Sequence, residues 1–281
     1  MLIGVFDSGI GGLTVLAELA RLLPEHDLVY LGDTARVPYG TRSPQTVIRY
    51  SLRVASYLAE HGIGALVVAC NTATTHALPT LEAACAPLDI PVFGVVQPGV
   101  QAALAAHHHG AIAVLGTEGT VRGGAYQRAL AALAPEVPVE AVPCPLFVPL
   151  AEEGWLHGQV PRLVAEQYVG SLRGRVDTVI LGCTHYPLLK PVLHEVLPDA
   201  VLVDSAAATA ITVRDALGPR GAGTGTLRFL VTDHVERFHR VGQRFLGRDP
   251  GPVEWVDVGP TTGPFAAHLP TEPEPDDTQG G

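Results

Sequence analysis

Two short apolar runs, ALVV at 65–68 and TVIL at 178–181, each stop within two residues at a cysteine followed by small polar side chains. Uninterrupted runs of this kind read as parallel strands buried on both faces. Open α/β sheets place their ligands at the carboxyl ends of such strands. Cys70 and Cys183 therefore call for two similar α/β units whose strand tips face one another. A lone free cysteine is more often an inert core residue. The matched tails Asn71-Thr72 and Thr184-His185 favour a ligand-facing position instead.

The remaining elements fit a duplicated unit. Leu2 to Phe6 reads as a strand, Asp7-Ser-Gly-Ile-Gly-Gly12 as a glycine-rich turn, and Leu13 to Leu23 as a helix that ends before Pro24. Glycines in that turn let the backbone approach a ligand, and the helix start favours an anion. The spacing is neither a P-loop nor a full dinucleotide fingerprint, and a small carboxylate suits so short a loop better. A second strand ends in Gly32-Asp33-Thr34 and the loop Arg36 to Gly40, after which Ser43-Pro44 opens a helix as N-cap and first helical residue. The helix after Thr72 is expected to break at Pro79, Pro91 to Val96 to form a strand, and Pro98-Gly99 to carry the chain across to the second half. There, Ala111 to Leu115, Val137 to Val142 and the Cys183 run answer the first three strands at nearly constant offset. The expected architecture is α/β, two similar doubly wound domains related by a pseudo-two-fold axis with the active site in the cleft between them. Residues 1–97 with 208–258 form the first, 98–207 the second, and 259–281, rich in Pro, Thr, Glu and Gly, a disordered and dispensable tail.

A chain of 281 residues, 47% hydrophobic and 16% charged, can bury two cores. Its formal charge of −10, without any basic run, argues against nucleic acid or an anionic membrane as partner. Cys70, Cys85, Cys144 and Cys183 show no zinc-ligand spacing, and four cysteines are too few for a disulfide framework in a chain this long. With no leader-like segment and no apolar stretch that could span a bilayer, the expected location is the cytoplasm, with reduced thiols. Lys190 is the only lysine. A pyridoxal phosphate enzyme needs a lysine for its Schiff base, so amino-acid chemistry here is expected to need no cofactor, and no metal.

Two thiols facing across a cleft form an acid and base pair able to remove a proton from one face of a carbon and deliver one to the other, a stereochemical inversion. A thiol with a pKa near ~8.5 is only partly ionised at neutral pH, so each needs a neighbour. Asp7 is the candidate for Cys70, His185 for Cys183, and Glu152 for support of the second site. The plainer readings are that Asp7 caps a helix, that His185 is structural, and that Glu152 and Glu153 are solvated. His107 to His109 invites a metal but reads as a helix C-terminal turn. Cys85 and Cys144 read as packing residues.

The segments DSGIGGLTV, GDTARVPYG, ACNTAT, CPLFVPLAEEG and LGCTHYPLL, in this order over residues 2 to about 255, resemble those of the glutamate racemases. The resemblance implies two α/β domains and cofactor-independent interconversion of L- and D-glutamate, with D-glutamate supplied for peptidoglycan, and a homodimer. It implies Cys70 as the base toward the D-enantiomer and Cys183 toward the L-enantiomer, assisted by Asp7, Glu152 and His185. It also implies Asp7, Ser8, Tyr39, Gly40, Asn71, Thr72, Thr184 and His185 as substrate-binding residues. Gly123 stands where the family often has Ser, and Gln97 where relatives often have Glu or His. A racemase for another acidic amino acid such as aspartate, or a non-catalytic binder of a small acidic metabolite, would share much of this pattern.

Lys190→Ala is expected to leave racemisation without added pyridoxal phosphate largely intact, as followed by polarimetry. Activity that appears only on adding that cofactor would overturn the reading.

Overall fold

The computed structural model describes residues 1–218, 221 and 223–271. In the first half β1 (Leu2–Asp7), α1 (Leu13–Leu22), β2 (Asp27–Gly32), α2 (Pro44–Glu60), β3 (Ala65–Val68), α3 (Asn71–Cys85), β4 (Val92–Gly94) and α4 (Val96–Ala106) alternate. The second half runs β5 (Ala111–Gly116), α5 (Glu118–Gly123), α6 (Ala125–Leu133), β6 (Val139–Pro143), α7 (Phe147–Glu153), α8 (Gln159–Val169), β7 (Val176–Gly182), α9 (Lys190–Val196) and β8 (Val201–Asp204). The chain then returns through α10 (Ser205–Leu217), β9 (Leu227–Val231), α11 (Val235–Leu246), β10 (Val253–Trp255) and α12 (Gly263–Ala266).

All named strand pairs are parallel, in two sheets of order β10-β9-β2-β1-β3-β4 and β6-β5-β7-β8. Parallel strands need crossover helices, and these cover both faces of each sheet. The entirely buried runs of β3 and β7 follow from that double cover. In each sheet the strand order reverses beside the first strand, between β1 and β3 and between β5 and β7. Such switch points open a crevice at the carboxyl ends, and Cys70 and Cys183 follow the last strand at each.

The two halves exchange helices. α4 leaves the first sheet and packs Val96, Val100 and Ala103 under the second, against Ile112, Val114 and Ile180. α10 leaves the second sheet and packs Ala206, Ala210 and Val213 into the core around α1 on the first. α4 and α10 also touch each other, so both crossings lie side by side. Asp204 caps α10 by accepting from Ala206 N. Lys190 is bound to the same carboxylate, which occupies the single lysine in a structural ion pair.

Three expectations are corrected. α3 does not break at Pro79 but continues to Cys85. Its buried face, Ala73, Ala77, Leu81 and Ala84, keeps the helix packed although the ring has no N–H for the preceding turn. Pro98-Gly99 lies inside α4 rather than in an open crossover. Residues 259–271 are not an unpacked tail. Phe265 is buried in the core between α2 and α3 with Val256 and Val258, and Thr262 bonds to Ser56 and Glu60 of α2. Its one aromatic side chain outweighs the polar composition of this stretch; the rest of the expected tail, 272–281, lies outside the described residues.

The histidine run acts on a carboxylate. Asp177 accepts from His108 N (2.7 Å) and His109 N (2.8 Å) and pairs with His107 Nδ1 (2.6 Å). Burial opposes its charge, but these bonds hold the Asp177 carboxyl well below the usual carboxylate range. Among the described residues no group of three or more His, Cys, Asp or Glu is placed to hold a metal ion.

Phe265→Ala should lower the unfolding free energy by about 3 kcal/mol, as aromatic truncations in a closed core do, read from the urea midpoint. An unchanged midpoint would show that the C-terminal segment adds nothing to the core.

Candidate active site

Ten of the eleven residues singled out from the sequence converge on one cavity of about 60 Å³. Ser8, Tyr39, Gly40, Cys70, Asn71 and Thr72 come from the first domain, and Glu152, Cys183, Thr184 and His185 from the second. A water needs ~10–15 Å³ by this measure, so the space suits a small metabolite and excludes a nucleotide. The exception is Asp7, which is 1% exposed and lies behind the lining rather than in it.

The Cys70 half is built from three strand ends. Cys70 is the N-cap of α3, and its Sγ accepts from Ala73 N at 3.4 Å. The Cys70 thiol faces Ser8 Oγ at 3.5 Å. Gly9 N donates to Asp7 Oδ2 at 2.9 Å, while Asp7 Oδ1 is buried without a partner. Burial raises the Asp7 pKa, opposed by the charge of His185. Burial, and next the charge of Asp7, push the Cys70 thiol up to about 12, although the bonds from Ser8 and Ala73 favour the thiolate. A group so raised is a strong base once ionised and a stable thiol otherwise.

The Cys183 half is different. Cys183 Sγ lies 3.9 Å from His185 Nδ1, and His185 Nε2 lies 3.0 Å from Glu152 Oε1. Burial alone would lower the His185 pKa, but its bonds to Cys183 and Glu152 raise it to about 10. Glu152 is held below its ordinary value by His185 and Arg237 against the cost of burial. These two partners favour the protonated imidazole, whose ring nitrogens face the thiol on one side and the carboxylate on the other.

Polar groups line the remaining wall. Tyr126, wholly buried, donates to Asn71 Oδ1 at 2.6 Å and leaves Asn71 Nδ2 buried without a partner, a donor available to an anion. Thr72, Thr117 and Thr120 join their hydroxyls across the domain boundary at 2.9 to 3.1 Å. Tyr39 spends its hydroxyl on Asp33 Oδ2 (2.6 Å), and Asp33 also takes Arg36 and Thr232, so the 33–40 loop is pinned by one buried carboxylate. Thr117, Val37, Pro38, Gly9 and Val148 line the cavity and were not singled out from the sequence. Thr117 had a usable signal, because its loop follows β5 as the Asp7 loop follows β1. Val37, Pro38 and Val148 had none, being ordinary loop and helix residues.

The departure at Gly123 has a steric reason. A Cβ there would lie 2.3 Å from Thr75 Cγ2 and 2.7 Å from His76 Cε1, so with these two side chains placed as they are glycine lets α5 approach α3 closely. Nothing in the structure explains Gln97, which is exposed at the start of α4.

A family model for Asp/Glu/Hydantoin racemase matches residues 3–213. The chain is 51% identical to the glutamate racemase of Geobacter metallireducens, over 91% of this chain and 96% of that one. Its fold is similar to the crystal structure of glutamate racemase from Francisella tularensis in complex with D-glutamate, with a TM-score of 0.83, 33% identity and coverage of 91% and 97%. The structure of glutamate racemase from Aquifex pyrophilus is also similar, with a TM-score of 0.78, 46% identity and coverage of 91% and 98%.

Asp7→Asn removes a negative charge beside Cys70, so the thiolate becomes easier to form and the pKa of Cys70 falls. In a Cys183→Ala background, alkylation of Cys70 by iodoacetamide at about pH 9, read by peptide mapping, should be faster once Asp7→Asn is added than with Asp7 intact. An unchanged rate would show that the carboxylate does not act on that thiol.

Proposed function

We infer, for a chain that belongs to the Asp/Glu/hydantoin racemase family, that it is a glutamate racemase interconverting L- and D-glutamate. The observation that carries the mechanism is the pair of thiols brought to one small cavity from two domains, each beside a different charged helper.

Glutamate is held by its charges. Asn71 Nδ2 and the hydroxyls of Thr72 and Thr117 suit one carboxylate, and Ser8 with the Tyr39-Gly40 backbone suits the other, which leaves the α-carbon between the sulfurs. From D-glutamate the Cys70 thiolate takes the α-proton while the Cys183 thiol delivers one to the opposite face. From L-glutamate the roles reverse. Each turnover thus leaves one sulfur protonated and the other ionised, in the opposite sense to its start. Asp7 stabilises the protonated form of Cys70 by its charge. His185, held by Glu152, presents Nδ1 to the Cys183 sulfur as its hydrogen-bonding partner. The carbanionic transition state develops in a small cavity lined by buried polar groups, where fixed donors act strongly on new charge.

The domain boundaries are proposed at 97/98 and 207/208, in the first turns of α4 and α10, so that the two side-by-side crossings serve as the hinge. No helix among the described residues is long and apolar enough to cross a membrane. A cytoplasmic homodimer that feeds D-glutamate to peptidoglycan is the setting proposed for this activity.

Two bases leave an isotopic signature. In D2O the product should carry deuterium at the α-carbon from the first turnovers while unreacted substrate stays protiated, as read by mass spectrometry of the separated enantiomers. Cys70→Ala and Cys183→Ala should each lower racemisation by about 10²-fold or more, the range for loss of an acid–base group, whereas Cys85→Ala should cost only packing. Early deuterium in both pools, or substantial turnover by either of the first two variants, would rule out two separate bases.

A further inference from the structure

The second thiol is completed by a helix of the first domain. α11 follows β9 of the six-stranded sheet, yet three of its side chains reach the Cys183 half of the site. Arg237 Nη2 donates to Glu152 Oε2 at 2.8 Å. Arg244 Nη1 donates to the Glu152 carbonyl at 2.7 Å, at the C-terminal end of α7. Phe245 meets the His185 ring edge to face, with centroids 5.0 Å apart. Glu152 and His185 belong to the second domain, so every one of these contacts crosses the boundary.

We propose that Arg237 is a positioning residue for the Cys183 half of the site. By holding Glu152 Oε2 it keeps Oε1 on His185 Nε2, which keeps His185 Nδ1 directed at the Cys183 sulfur. A carboxylate held at one oxygen only can rotate about its last bond; held at both, it fixes the plane in which the imidazole must lie. The importance of the pair lies in this geometry and not in its energy, because Arg237 is about half exposed and exposed ion pairs contribute little to stability. The arrangement also makes proton transfer at Cys183 depend on α11 being docked, so the site is complete only when the domains are together. Cys70 has no such support, since its neighbours Ser8, Asp7 and Ala73 all belong to its own domain. Arg237 touches neither the thiols nor the inner cavity. It lines an outer chamber of about 550 Å³ that shares only Gly9, Val37 and Glu152 with it.

The proposal rests on the two-thiol reading above. The experiment compares Arg237→Gln, Arg237→Lys and the unaltered protein in both directions, with α-protiated and α-deuterated L- and D-glutamate. The enantiomers have equal free energies, so kcat/KM must fall equally in the two directions. The isotope effect carries the asymmetry. Arg237→Gln should lower kcat about tenfold with KM changed by less than about twofold, the pattern of an interaction made in the transition state. The isotope effect should rise for L-glutamate, whose proton goes to Cys183, and not for D-glutamate. Lysine, a single donor in place of the planar fork, should restore part of the rate. In a Glu152→Gln background the Arg237→Gln change should cost little further. A fall confined to KM and sensitive to salt would overturn the proposal and leave Arg237 as a guide for incoming anions. Full additivity with Glu152→Gln would overturn it too. A rise of the isotope effect for D-glutamate instead would support the positioning role while reversing which enantiomer Cys183 serves, so a failure of the mechanistic reading is separable from a failure of this one.

Discussion

The site exists because two loops from different domains are allowed to touch. A Cβ built on Gly11, in the turn after β1, would lie 2.3 Å from Thr184 Oγ1 and 2.4 Å from His185 Nδ1 of the turn after β7. Any side chain there would displace the Thr184 hydroxyl and the His185 ring from their places in the site. Thr14, one helical turn on, reaches Thr184 O at 3.4 Å along the same seam. The glycines of this turn suggest an anion cradle by composition, and at Gly11 the backbone does approach something closely. That neighbour is the other half of the protein.

Closeness forces the electrostatics. Two thiols, two carboxylates and one imidazole share a region with little water, where an unpaired charge is costly. The structure distributes them so that each charge has a specific answer. On one side burial, and next the charge of the deep and partly unpaired Asp7, favours the protonated Cys70 thiol. On the other, the protonated imidazole of His185 is favoured because Glu152 and the Cys183 sulfur both face it. Burial is therefore the source of basicity at Cys70, whereas at His185 it opposes the charge and the bonds to Cys183 and Glu152 outweigh it.

How far the sequence showed this follows from the range of each interaction. Strand-end cysteines and their polar tails are local signals, and they located the cavity. Double winding is also legible, because uninterrupted apolar strands alternate with amphipathic helices. What was missed depends on contacts between distant segments. Pro79 looked like a break because propensity counts the missing N–H and not the packed face beneath it. Phe265 looked like part of a polar tail because one aromatic residue hardly alters composition, yet it fills a gap between α2 and α3. The position of Asp7 behind the lining, the donor left free on Asn71 by Tyr126, and the reach of α11 across the cleft are properties of three-dimensional neighbours that no spacing encodes.

The two halves repeat each other in fold but not in chemistry, and the reaction permits this. Racemisation exchanges one hydrogen between opposite faces of a carbon while the other three substituents keep their binding partners. The two proton-transfer groups must therefore be placed symmetrically about the α-carbon, a demand on backbone geometry that a duplicated strand-end turn meets. They need not be supported symmetrically, since thermodynamics fixes only the ratio of kcat/KM in the two directions. A carboxylate stands behind Cys70 and an imidazole beside Cys183, so the repeated strand-end turn supplies the placement while the neighbours that each sulfur meets differ.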